Sequence, residues 1–143
     1  MSRSEKAVQL FNEGYNCAQA VFLAFSDKLN ISEEAAKGAA AAFGGGMGRK
    51  GYVCGAVTGA LMVLGMKNGG AKENKEKNYA DVVKFWDIFT EHHASVICLK
   101  LLECNLSTPE GLKVFKEKNL HVKVCANLVK DAVEILEKDF QLA

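Results

Sequence analysis

Proline is nearly missing from this chain: Pro109 stands alone among 143 residues. Helices can therefore run long without their commonest breaker. Strand signals are equally sparse, with no long alternation of β-branched and polar residues. Charge of one sign is lacking too. Eighteen basic residues face 17 acidic ones, and no basic block exceeds the pair Arg49-Lys50. That excludes the strong positive field expected of a nucleic-acid binder, so no nucleic-acid partner is expected. The longest uncharged run, Gly51 to Met66, has 16 residues and is punctuated by Gly55, Gly59 and Gly65. About 20 apolar residues are needed to span a bilayer, so membrane insertion is not expected. Glu5 and Lys6 interrupt the place where a secretory signal would carry its apolar segment, which points to a cytoplasmic protein. Absent as well are a Cys-x-x-Cys pair, a Cys-x-x-Cys-His haem motif and a Gly-Lys-Ser/Thr phosphate loop.

What is present is helical periodicity. Ser4–Glu13 reads as a first helix, and Asn16 caps a second that runs to about Leu29. Ser32-Glu33-Glu34 opens a third, through Phe43. The irregular stretch Gly44–Gly51 follows. A fourth helix spans about Val53–Met66 and closes on Asn68-Gly69-Gly70. A fifth carries Val82, Phe85, Trp86 and Phe89, bends near His92-His93 and continues through Cys98 to Leu102. Thr108-Pro109 caps and starts a short helix to about Lys118, and a last helix covers about Val122–Lys138. The fold class is all-α: residues 1–143 form one domain, a bundle of about six or seven helices.

Against this ordinary background five cysteines stand out: Cys17, Cys54, Cys98, Cys104 and Cys125. A reducing compartment disfavours stable disulfides, leaving buried thiols, metal ligands or working redox thiols. Cys54 is the sharpest feature. A glycine-rich loop delivers it to a helix start, where unpaired N–H groups favour a thiolate. Gly55 and Gly59 give the same helix a small-residue face that a neighbour can approach closely. Cys17 and Cys125 also lie near helix starts. Cys98 sits late in its helix, a position that disfavours a thiolate and calls for a metal or disulfide partner. Cys98 and Cys104 are separated by five residues, which is neither redox-pair nor zinc-knuckle spacing. Any shared site must therefore be assembled from separate helices. His92 and His93 are adjacent and should point about 100° apart on a helix. His121 reads as a solvated turn residue.

The ordered set Asn16-Cys17-Ala18-Gln19-Ala20-Val21, Gly51-x-x-Cys54-Gly55-Ala56-x-x-Gly59-Ala60-Leu61, Cys98-x-x-Leu101-Leu102 and Cys125 resembles the family named for its C_GCAxxG_C_C cysteine pattern. Its members are small proteins predicted to be redox-active, and a related region occurs in split-Soret cytochromes. The resemblance carries the family's cysteines onto Cys17, Cys54, Cys98 and Cys125, and leaves Cys104 as an extra.

Three functions follow as expectations. The first is a cysteine-based redox protein, exchanging disulfides or transferring electrons. Cys54 is then the thiolate, and one of Cys17, Cys98 or Cys125 resolves it. It would need a redox partner that the sequence does not name, and this would make it a thiol oxidoreductase. The second is a metal protein in which Cys17, Cys54, Cys98 and Cys125 ligate zinc or an iron–sulfur cluster. The third is a structural or interaction bundle whose cysteines are packing. The small-residue face and the aromatics Phe85, Trp86 and Phe89 leave room for a homodimer.

Overall fold

Eight helices, in a computed structural model that describes residues 1–143, follow the capping chemistry closely. Helix α1 (Arg3–Asn12) is capped by Ser2, whose side chain accepts from the Glu5 N–H while Glu5 reaches back to the Ser2 N–H. Asn16 and Gln19 make the same reciprocal pair at α2 (Cys17–Ala24), and Ser32 caps α3 (Glu33–Ala40). Then come α4 (Gly55–Asn68), α5 (Lys75–His93), α6 (Cys98–Leu102), α7 (Pro109–Glu117), capped by Thr108, and α8 (Ala126–Asp139). No helix is long and apolar enough to cross a membrane.

Helix α2 is the hub because it is apolar on every side. Of its residues only Gln19 escapes full burial. It packs on α1, α3, α4 and α8, and the α2–α4 crossing is close because Gly59 of α4 lies against the Ala18 backbone. Phe22, Phe25, Phe85 and Phe89, with Leu64, Ile135 and Leu136, are the largest fully buried side chains. Each contributes about 1.5–3 kcal/mol on burial. Phe85 and Phe89 are thus core residues, with Trp86 half-buried beside them. Buried Asp81 is satisfied by Asn68 at 2.8 Å and Lys77 at 3.2 Å, tying the end of α4 to α5.

Three stretches depart from the periodicity. Helix α2 ends at Ala24, five residues before Leu29, and gives way to a tight turn over Ser26–Lys28. There the Arg3 guanidinium takes the Ala24 carbonyl at 2.7 Å, and the Ser26 hydroxyl donates to the Leu23 carbonyl at 3.0 Å. Both remove acceptors from a longer helix.

The glycine stretch turns left-handed. Positive φ runs unbroken from Gly45 through Gly46, Met47 and Gly48 to Arg49, and the Arg49, Gly51 and Tyr52 N–H groups close the turn onto the Gly44, Gly45 and Gly46 carbonyls. A left-handed turn costs about 1–2 kcal/mol at each residue with a Cβ, so glycine at three of these five positions makes it tolerable.

The expected continuation of α5 through Cys98 is wrong. The helix stops at His93, Ala94 adopts φ 70°, and the chain extends. Ile97 then pairs with Val53 in a single antiparallel bridge, and a new helix opens at Cys98. The bridge satisfies backbone groups that a helix would otherwise have used.

Candidate functional site

That bridge is the site's frame. The Cys54 N–H donates to the Val96 carbonyl at 2.8 Å, and the Cys98 N–H to the Tyr52 carbonyl at 2.6 Å. Side chains alternate along an extended strand. With Val53 and Ile97 paired on one face, Cys54 and Cys98 leave from the other, as diagonal neighbours. Cys98 therefore stands at a helix start, not a helix end, which corrects the reading from periodicity.

The other two cysteines come from the hub and from the last helix. Cys17 is the first residue of α2. Cys125 closes a widened π-helical turn, His121–Cys125, that feeds α8. Together with Cys54 and Cys98 they line one cavity of about 630 Å³ at this end of the bundle. Glycine makes room for the thiols. A Cβ on Gly55 would sit 3.0 Å from the Cys17 Cβ, and one on Gly46 would sit 2.7 Å from the Cys98 Cβ. Cys104, in the loop after α6, is buried but does not line the cavity.

No three of the cysteine sulfurs lie within 4.8 Å of one another. They surround a space instead of meeting at a point. Zinc at 2.3 Å from four thiolates draws the sulfurs to about 3.8 Å apart, closer than any three of these thiols stand. Thiolates that hold an iron–sulfur cluster stand around a larger inorganic core, and four cysteines are the usual donor set. The rest of the lining agrees. It includes Arg49, Lys116 and His121 and no carboxylate, while 14 of its 23 residues are hydrophobic. The site is thus an apolar recess whose open mouth carries the exposed cations Arg49 and Lys116, a setting suited to an anionic group.

The thiols differ in acidity. Burial pushes Cys54 up to about 11, against the Ala56 and Val57 N–H groups that favour its thiolate. The helix-start effect is present, but burial outweighs it. Burial, reinforced by the charge of a Cys54 thiolate, pushes Cys98 up to about 12. Cys17 and Cys125 face each other as a pair. Their hydrogen bond holds the Cys125 thiol below its ordinary value and Cys17 well above it. Cys104 is raised by burial.

Several cavity residues were not singled out in the sequence. Arg49 reaches the site through the left-handed turn, and Lys116 from α7. His121 is half-buried, not a free surface residue. It stacks on Phe11 with ring centroids 3.9 Å apart and lines the cavity. His92 and His93 lie elsewhere, and both meet Asp131 of α8. Periodicity carries no signal for these long-range placements.

Fold and site together define a helical bundle built around a four-cysteine cavity. Residues 15–138 match the family described as "Putative redox-active protein (C_GCAxxG_C_C)", and the chain belongs to it. An uncharacterized protein of Archaeoglobus fulgidus is 29% identical, with 94% of this chain and 93% of the relative covered. No solved structure matches.

Proposed function

We propose that the chain is an electron-transfer protein in which Cys17, Cys54, Cys98 and Cys125 hold an iron–sulfur cluster. The observation that carries this reading is that four thiols line one cavity and stand around it, with no three sulfurs within 4.8 Å of one another. Iron bound there supplies one-electron chemistry, and its charge deprotonates thiols that burial otherwise keeps neutral. The chain's own groups do the rest. The bridge between Val53 and Ile97 fixes Cys54 and Cys98. The Ala56 and Val57 N–H groups at the start of α4 favour the charged form of Cys54, and with it the more negatively charged state. Arg49 and Lys116 offset the negative charge of four thiolates, and the apolar side chains line the wall behind them.

A second reading rests on Cys17 and Cys125, whose facing thiols suit reversible disulfide formation, with Cys125 as the more acidic partner. Spectroscopy of protein handled without oxygen separates the two. The cluster reading expects visible charge-transfer absorption that dithionite bleaches, with a paramagnetic signal in one of the two oxidation states. A colourless protein that takes up no iron and sulfide on reconstitution, and that oxidises to a Cys17–Cys125 disulfide, would overturn it in favour of the dithiol.

A further inference from the structure

A second cluster of ligating side chains lies on another face, where α5 ends against α8. His92 Nδ1 is 2.8 Å from Asp131 Oδ2, and His93 Nε2 is 2.6 Å from the same oxygen. Adjacent helical residues normally diverge by about 100°. Here they converge because His92 uses its near nitrogen and His93 its far one. The His93 ring lies 4.6 Å from Phe89, which gives the pair an apolar wall. The two nitrogens and the carboxylate oxygen all lie within 4.8 Å of one another. Asp131 has no lysine or arginine partner and pairs with the two imidazoles alone.

We propose that His92, His93 and Asp131 form a binding site for a divalent transition metal of the zinc class. Two imidazoles and a carboxylate are a donor set that such ions take readily, and the exposed side of His92 leaves open positions for water. The site is separate from the cysteine cavity and does not rest on the cluster reading. None of its residues lines that cavity, and Asp131 lies six residues beyond Cys125, about 9 Å along the helix. A metal here joins the last turn of α5 to α8 just before the chain breaks at Ala94. It would thereby steady the segment that carries Val96 and Cys98 to the bridge.

Cobalt titrated into the full-length protein tests this, because thiolate-bound cobalt shows sulfur-to-metal charge transfer in the near ultraviolet and nitrogen- or oxygen-bound cobalt does not. The expected result is one equivalent bound without that charge transfer. Its affinity should fall about tenfold or more in His92→Ala and in Asp131→Asn, and zinc should raise the thermal midpoint of the wild type but not of His92→Ala. Should Asp131→Asn fail to fold, His92→Ala decides alone, since that side chain is 45% exposed. Equal binding by wild type and His92→Ala, or binding through thiolates alone, overturns the site. So does a triad that titrates with protons yet takes up no cobalt.

Discussion

Gly59→Ala probes the crossing of α2 and α4, which sets where Cys17 and Cys54 stand. A Cβ at Gly59 would lie 2.7 Å from the Ala18 carbonyl oxygen, 3.1 Å from the Ala18 Cα and 3.1 Å from the Val21 Cβ. Two of these three atoms are backbone, so neither can rotate away and the helices must separate. Overpacking of this kind costs about 1–3 kcal/mol, with backbone contact placing it at the upper end. Replacing a mid-helix glycine by alanine returns about 1 kcal/mol of helix propensity. The net loss is then about 1–2 kcal/mol. Gly65→Ala, on the same helix, is the control. Nothing lies within 4 Å of a Cβ there, so the propensity gain of about 1 kcal/mol stands unopposed. The two variants should therefore differ by about 2–3 kcal/mol, which is roughly 6–10 °C in thermal midpoint for a domain of this size. Urea unfolding of both, at equal slopes, reads the difference directly. If Gly59→Ala stabilises the protein as much as Gly65→Ala does, the close crossing and the placement of Cys17 against Gly55 are wrong.

Other outcomes follow from the same geometry. Gly55→Ala presses on the Cys17 Cβ and the Phe43 carbonyl, each at 3.0 Å. It should lower the iron retained per chain while the helical circular dichroism survives. Cys54→Ala should abolish iron retention, whereas Cys104→Ala should leave it intact, because Cys104 does not line the cavity; equal iron in both variants would break the assignment. In metal-free protein near pH ~8, alkylation mapped by mass spectrometry should find Cys125 first. Cys54 and Cys98 should resist, because burial raises them to about 11 and about 12; a fast Cys54 would contradict this. At Asp81 burial favours the protonated acid, but hydrogen bonds from Asn68 and Lys77, with the Lys77 and Lys67 charges, leave its pKa lowered. Its stabilisation is therefore complete above the unfolded carboxyl value of about 3.9 and lost as pH falls through the lower folded value. The stability gap between wild type and Asp81→Asn should hold near neutrality and close in acid.

Local chemistry was legible in the sequence, and long-range chemistry was not. The caps at Asn16, Ser32 and Thr108-Pro109 need only neighbours a few residues away, and all three form. Apolar spacing likewise located the helices within a few residues at most ends. Cys98 shows where that stops. Its helix begins because Ile97 pairs with Val53, 44 positions earlier in the chain (97 − 53), and no local pattern encodes that partner. The left-handed turn was visible as an excess of glycine, but its hand was not. That hand is what carries Arg49 to the cavity wall. The widened turn at His121–Cys125 shifts the helical phase locally, so a stripe drawn at the normal period could not anticipate where His121 and Cys125 point. The convergence of His92 and His93 depends on which ring nitrogen each one presents to Asp131, a choice made by packing. The four cysteines themselves were identified from their order and flanking residues, yet the space between them emerged only from the packing of α2, α4, α6 and α8.

The most direct test of that space is the iron and acid-labile sulfide content of the protein, isolated without oxygen and without a metal-affinity column. The cluster reading expects both in near-stoichiometric amounts per chain, and both lost together in Cys54→Ala. Undamaged protein that carries neither, or that carries zinc at the cysteines instead, contradicts it.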